Sequence, residues 1–259
     1  IRNGLNIFAY RSYQSVIRGG HVWYQIRISD VKKLYHFGDY FDILVTLNKD
    51  GIIYDTEFLK PNGFIIHDKD EVKFTEKEVG KPYNDISVPL IEIAKLYSKL
   101  PVLQNTVALG ACGALIGFNF ESIKSVIEDV FKDKGKEIIE MNIAASRAGY
   151  EYVSNLYGSK FNLRLNPNNK KPALNGAQAL AFGAFVAGCK FYAAYPMTPA
   201  SPILHWLAEH ANKCGIITLQ LEDEIAVINS AIGAGFAGVR AMVGTSGGGF
   251  ALMSEAIGL

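Results

Sequence analysis

Cysteine is scarce. Cys112, Cys189 and Cys214 are the only three in 259 residues, far apart and without a C-x-x-C pair. They build no disulfide framework, which suits a reducing cytosol, and they fall short of the four thiolates of a cubane iron–sulfur cluster. Excess charge is lacking as well. The 26 basic and 25 acidic residues leave a net charge of +1, so no basic field points to nucleic acid and no lysine-rich tail to a membrane surface. No apolar run approaches the roughly 20 residues of a bilayer span. The stretch 179–189 is apolar but short, and Lys190 and Pro196 break the chain beyond it, so a buried core helix is expected there. No signal peptide is visible and no repeat of solenoid period is present. No G-x-G-x-x-G follows a predicted strand, which speaks against a dinucleotide-binding oxidoreductase. His205 and His210 are five apart, a poor helical metal pair. The first residue is not Met and the last element stops inside a helix, so a fragment of a longer polypeptide is expected, trimmed at both ends.

The chain is long enough for two domains. Residues 175–259 alternate small-residue helices with short apolar runs. Helices are expected over 178–188, 200–212, 223–237 and from 250 onward, and strands over 191–194, 216–219 and 240–244. Strands separated by helices predict a parallel sheet with right-handed crossovers. Ligands of such sheets gather beyond the carboxyl ends of the strands. Thr198 between Pro196 and Pro199, the acidic run Glu222-Asp223-Glu224, and Thr245-Ser246-Gly247 all fall there.

The first half predicts strands over 8–11, 23–29, 41–47 and 64–67, the run 41–47 being apolar enough for a fully buried strand. A short helix over 52–59 is expected to end at Lys60-Pro61-Asn62-Gly63, with a charged loop after residue 67. An extended segment over 85–90 leads into helices over 90–100, 102–117, 121–131 and 137–157. Residues 157–174 lose periodicity and gather Asn, Pro and Lys, as an exposed linker does.

The motifs YPMTPAS (195–201), LEDEIAVINSAIGA (221–234) and TSGGGFALMSEAIG (245–258) resemble the alpha subunit of the 2-oxoacid:ferredoxin oxidoreductases, in the family's order and spacing. The first half resembles the gamma component of the same enzymes through YQSVIRGGHVWYQIRISD (13–30), FDILVTLN (41–48), LKPNGFIIHD (59–68), VALGACGALIG (107–117) and MNIAASRAGYEY (141–152). The glycine-rich segment that normally precedes it in that family is absent, and gamma fused ahead of alpha is an arrangement the family uses. The resemblance implies an α/β architecture. A gamma-type domain over 1–157 and a linker over 158–171 precede a thiamine-diphosphate pyrimidine-binding domain with a parallel sheet over 172–259, truncated at its C-terminus.

The resemblance also implies roles. Thiamine diphosphate needs a carboxylate against the pyrimidine ring nitrogen, and the family places such a Glu at the head of a small-residue helix. Glu224 holds that position, with Gly233 nine residues on. Ile225-Ala226-Val227-Ile228 come directly after Glu224, so its carboxylate is expected to be partly desolvated. A helix N-terminal acid facing the dipole is the blander alternative, Glu222 is the competitor, and Asp223 suits an N-cap. Thr198, with Tyr195 beside it, is expected to bind the 2-oxoacid, or else to cap the helix near Ala200. Thr245, Ser246 and Gly247 are expected to line the pyrimidine pocket, a plain strand-to-helix turn being the alternative; the loop lacks the ending of a nucleotide phosphate loop, and Gly248 stands where the family writes Pro. Arg18-Gly19-Gly20-His21 suits a coenzyme A phosphate or, equally, packing between domains. Arg147-Ala148-Gly149-Tyr150 is expected to be structural.

No GDG…N pattern is present, so the resemblance assigns Mg2+, the diphosphate contacts and a 4Fe-4S cluster to a beta subunit. It implies oxidative decarboxylation of a 2-oxoacid, 2-oxoglutarate favoured, with coenzyme A as co-substrate, ferredoxin as acceptor and a cytoplasmic location. A non-catalytic scaffold subunit is the rival.

Overall fold

The computed structural model describes residues 2–12 and 20–259. The chain divides into two compact units, Ile1–Lys171 and Pro172–Leu259. In the first, β1 (Asn6–Arg11) and β2 (Tyr24–Ser29) pair antiparallel. Next come β3 (Phe41–Thr46), α1 (Asp50–Asp55), β4 (Leu59–Asp68), α2 (Glu76–Val79) and β5 (Tyr83–Val88), then α3 (Leu90–Lys95), α4 (Gln104–Ile116), α5 (Phe120–Phe131) and α6 (Lys136–Leu156). β3, β4 and β5 form a parallel sheet in that order.

The central strand β4 is the buried one, with Ile65 and Ile66 fully covered, whereas β3 at the edge leaves Asp42 and Val45 exposed. Full burial expected of 41–47 is thereby corrected: an edge strand is covered less than the strand it flanks. The helix expected over 52–59 stops by Phe58, before the Lys60–Gly63 turn chemistry. That turn chemistry forms a bulge inside β4, where the register jumps from Phe41↔Leu59 to Ile43↔Phe64 and Asn62 takes φ 61°. The charged stretch after β4 contains the one-turn α2, held by a capping box of Thr75 with Glu78.

α4 and α6 cross backbone to backbone. A Cβ at Gly110 would overlap the Ser146 carbonyl oxygen, and one at Gly149 would overlap that of Val107. Tyr150 donates to Phe118 O at 2.8 Å and Arg147 lies 4.1 Å over the Phe120 ring, so residues 147–150 are structural. Asp68, 1% exposed, ties β4 to its surroundings. It accepts from the amides of Asp70 (2.9 Å), Glu71 (3.0 Å) and Ile91 (2.9 Å). Burial alone would push its carboxyl up, but those amides and that of Leu90 together outweigh it and hold it below the ordinary value.

Residues 158–171 form no helix or strand. They are tethered to the first unit rather than free: Lys160 N donates to Leu115 O (2.8 Å), Asn166 N to Asn3 O (2.8 Å), and Lys171 Nζ to Asn6 Oδ1 (2.8 Å). The second unit begins at Pro172, and residues 158–171 group with the first unit.

The second unit runs α7 (Gly176–Val186), β6 (Phe191–Ala194), α8 (Ser201–Cys214), β7 (Ile217–Gln220), α9 (Glu224–Phe236), β8 (Ala241–Gly244) and α10 (Gly247–Met253). Its start is fixed by a capping box in which Asn175 and Gln178 satisfy each other's backbone amides. The sheet is parallel with order β7-β6-β8. Tyr192 and Ala194 face α7 and α8 through Ala181, Leu204 and Leu207, while Ala193 faces Val227 and Met253 of α9 and α10. Helices therefore cover both faces. The loop after β6 leaves toward one face and those after β7 and β8 toward the other, which opens crevices at the carboxyl ends beside β6. Among the described residues no helix is long and apolar enough to cross a membrane.

Candidate functional site

The carboxyl edge of the β7-β6-β8 sheet gathers the loop threonines, the acidic run and the glycine-rich turn. β7 ends in the acidic run, and burial separates its members: Glu222 and Asp223 are exposed, whereas Glu224 is 3% exposed. Asp223 caps α9, its Oδ1 accepting from Ala226 N at 2.8 Å. Its backbone takes φ 61°, ψ 159°, a region left almost wholly to glycine and costing about 1–3 kcal/mol elsewhere. A strained residue immediately before a buried carboxylate marks a site whose geometry is held against local preference.

Glu224 carries the more telling observation. Its Oε1 is buried and has no hydrogen-bond partner, and the same holds for Thr245 Oγ1. A buried polar atom without a partner costs about 1–3 kcal/mol. Two of them converge here, because a Cβ built on Gly249 would overlap Thr245 Oγ1 and lie 2.7 Å from Glu224 Oε1. An acid retained only for the helix dipole gains by facing solvent or amides, not by burial beside Thr245 and Gly249.

Thr245, Ser246 and Gly247 line an apolar hollow of about 660 Å³ with Ile228, Met242 and Phe250. Ser246 Oγ donates to Met197 Sδ, which links this turn to the loop after β6. In that loop Tyr195 is half-buried against the α9 face, while Thr198 is exposed and precedes a cis peptide to Pro199. α8 starts at Ser201 without a side-chain cap, its first amides turning onto Met197 O. Thr198 is thus no helix cap, and its hydroxyl stands open at the sheet edge.

Sequence reasoning misses Gly249, which reads as one more small residue. It also misses Tyr192, fully buried under Gly244, its hydroxyl unpaired and pushed up to about 12 by burial and the nearby Cys189. No periodic signal distinguishes either position. The one G-x-G-x-x-G string, Gly233 to Gly238, closes α9 and precedes β8; a dinucleotide fold needs it after a strand.

In the first unit Gly20 and His21 border a hollow of about 560 Å³ with Trp23, Tyr54, Asp55 and Phe58. His21 Nε2 lies 3.0 Å from both Asp55 oxygens, so its ring is already engaged by a carboxylate. Arg18 and Gly19, also expected there, lie outside the described residues. Cys112, Cys189 and Cys214 are free thiols, and among the described residues no cluster of His, Cys, Asp and Glu could hold a metal ion.

The family model "Pyruvate ferredoxin/flavodoxin oxidoreductase" matches residues 1–152, and "Pyruvate flavodoxin/ferredoxin oxidoreductase, thiamine diP-bdg" matches residues 182–259. The 2-oxoacid:ferredoxin oxidoreductase subunit alpha of Saccharolobus solfataricus is 29% identical over 99% of this chain and 48% of its own length. The 2-oxoglutarate oxidoreductase subunit KorA of Mycobacterium tuberculosis is 32% identical over 91% of this chain and 40% of its own. A solved structure of 2-oxoglutarate:ferredoxin oxidoreductase from Magnetococcus marinus, with 2-oxoglutarate, coenzyme A and succinyl-CoA bound, superposes with a TM-score of 0.86. It shares 32% identity over 98% of this chain and 44% of that one. The chain spans about half the length of the curated relatives it matches. With a family model over its first 152 residues and a second over its last 78, in the α/β architecture the motifs imply, the chain belongs to the pyruvate ferredoxin/flavodoxin oxidoreductase family.

Proposed function

We propose that this chain is the pyrimidine-side subunit of a thiamine-diphosphate-dependent 2-oxoacid:ferredoxin oxidoreductase, with 2-oxoglutarate as the favoured substrate. A 2-oxoacid and coenzyme A become acyl-CoA and CO2, and two electrons pass to ferredoxin. The observation that carries the reading is Glu224: a carboxylate 3% exposed, one oxygen unpaired, at the head of a small-residue helix. The Mycobacterium relative's name and the Magnetococcus structure's bound 2-oxoglutarate and coenzyme A support the choice of substrates.

Thiamine diphosphate fits the residues present, because two buried polar atoms, Glu224 Oε1 and Thr245 Oγ1, lack partners that a pyrimidine ring would supply. When bound, the cofactor supplies the electron sink for decarboxylation. The chain supplies position and proton management. Glu224 holds a proton at the ring nitrogen, and its burial beneath Gly249 keeps water from competing for it. Thr245, Ser246 and Gly247 wall the pocket. Thr198 and Tyr195 orient the 2-oxoacid through its carboxylate or keto oxygen. A beta subunit holds the diphosphate, Mg2+ and the 4Fe-4S cluster, and the Gly20–His21 corner is the candidate contact for coenzyme A in the first unit.

The test uses the full-length protein co-purified with its partner chain, assayed for 2-oxoglutarate- and coenzyme A-dependent viologen reduction. Glu224→Ala is expected to lower turnover at least a hundredfold. Turnover within about tenfold of the parent, roughly 1.4 kcal/mol in barrier, removes Glu224 from its role and brings Glu222 forward. Cofactor binding without turnover of any 2-oxoacid makes the subunit a scaffold.

A further inference from the structure

The first turn of α10 approaches the sheet's carboxyl edge at Gly249, a buried residue of a three-glycine run. A Cβ there would overlap Thr245 Oγ1 and lie 2.7 Å from Glu224 Oε1 and 2.8 Å from Glu224 Cγ, closer than carbon packs against either atom. Its neighbours Gly247 and Gly248 are exposed, and a Cβ on either meets nothing within 4 Å. Of the three glycines, only the third requires the absence of a side chain. Gly249 takes a helical conformation, so backbone freedom is not what it contributes; the space is.

That space has a specific use. Glu224 makes no hydrogen bond through Oε1, so nothing polar fixes the orientation of its carboxylate. A glutamate with three side-chain torsions then depends on packing to stay in one rotamer, and ordering such a chain costs up to about 2 kcal/mol. The Gly249 backbone closes over Glu224 Cγ and Oε1 on one side, with Thr245 adjoining. We propose that Gly249 is a positioning residue: its bare backbone clamps Glu224 in the orientation that meets the pyrimidine ring nitrogen. The inference rests on the reading of Glu224 as the acid that faces that nitrogen. Any side chain at 249 displaces the carboxylate and the Thr245 hydroxyl together, and the site loses its recognition of the ring nitrogen while the diphosphate contacts of the partner remain.

The experiment compares two ligands by calorimetry on the cofactor-free full-length protein assembled with its partner. One is thiamine diphosphate. The other is its analogue with carbon in place of the pyrimidine ring nitrogen that a carboxylate would contact. The parent is expected to bind thiamine diphosphate at least tenfold more tightly than the analogue, and Gly248→Ala to keep that ratio. Gly249→Ala should bind both with the analogue's affinity, the ratio falling within about twofold of one. A Gly249→Ala protein that keeps the parent's ratio overturns the inference. A parent without any preference overturns the reading of Glu224, and the positioning role falls with it. Should Gly249→Ala not fold, the Thr245→Ala/Gly249→Ala double variant removes the overlapped hydroxyl. The new Cβ still lies against Glu224, so the ratio should again collapse; a retained ratio counts against the clamp.

Discussion

Replacing Glu224 by leucine separates the two explanations of that residue, because they predict opposite signs for stability. Glutamate and leucine have similar volume, so the space beneath Gly249 stays filled. The exchange removes a buried oxygen without a partner, worth about 1–3 kcal/mol of destabilisation in the folded protein. It also removes an acid from the first turn of α9, which costs about 0.3–1 kcal/mol. The balance is a gain of about 1 kcal/mol, together with loss of turnover in the assembled enzyme, as functional sites trade stability for activity. The readout is urea unfolding of the chain, monitored by Trp206 fluorescence. Each unit contains one of the two tryptophans, so a Trp23→Phe background reports the second unit alone. Trp206 packs in that unit's core and stacks on His210 with centroids 4.2 Å apart, so its emission reports unfolding. With a slope of about 1–3 kcal/mol per molar urea, the midpoint should rise by about 0.3–1 M. A midpoint that falls by a similar amount refutes the reasoning and makes Glu224 a stabilising helix-terminal acid.

Thr198→Val should lower kcat/KM for the 2-oxoacid by about 1–3 kcal/mol of lost hydrogen bonding, while Thr198→Ser keeps it; equal specificity constants would remove Thr198 from the substrate. Asp68→Ala should destabilise the first unit by at least about 1–3 kcal/mol, since three backbone amides lose a buried acceptor, measured as a drop in that unit's unfolding midpoint. The Asp68 carboxyl is held below its ordinary 3.8 in the folded protein, so its contribution is fully present above the unfolded value and disappears as pH falls through the folded one. Acid titration of the parent should therefore lose stability below about pH 4 in a way that the alanine variant does not. The chain by itself should show no visible iron absorbance and no 2-oxoacid turnover, and should bind thiamine diphosphate weakly; tight binding or turnover without a partner would refute the split site.

The second unit is more legible than the first, for physical reasons. Short helices and four-residue strands in strict alternation admit little but a parallel sheet, so β6 is readable at Phe191–Ala194 and α9 from its Asp223 cap. Where turn chemistry occurs inside an element, local rules mislead. Pro61 and Asn62 read as a turn between a helix and a strand over 64–67, but the strand begins before them at Leu59 and carries them as a bulge. For the site, residue type and order point to an acidic run, and the family resemblance puts Glu224 ahead of Glu222. Their difference in burial is not legible, because it depends on α10 packing across the sheet edge from much later in the chain. Gly249 is invisible for the same reason: its importance lies in atoms of other elements. The pairing of His21 with Asp55 is not legible either, because the two are 34 residues apart and only the fold brings them together.

The crossing of α4 on α6 has a consequence for the order in which the first unit opens and closes. Helices that touch through Gly110 and Gly149 have no side chain to retract between them, so they separate as a pair or not at all. Their contact joins residues 107–110 to 146–149, a short loop on the scale of the chain, and such closures form early. The amides of α4 and α6 should then be the slowest in the first unit to exchange with deuterium, opening only with global unfolding. A methyl group added at Gly110 should bring that opening down to the level of the surrounding helices; unchanged exchange there would show that the crossing is not the last structure to be lost.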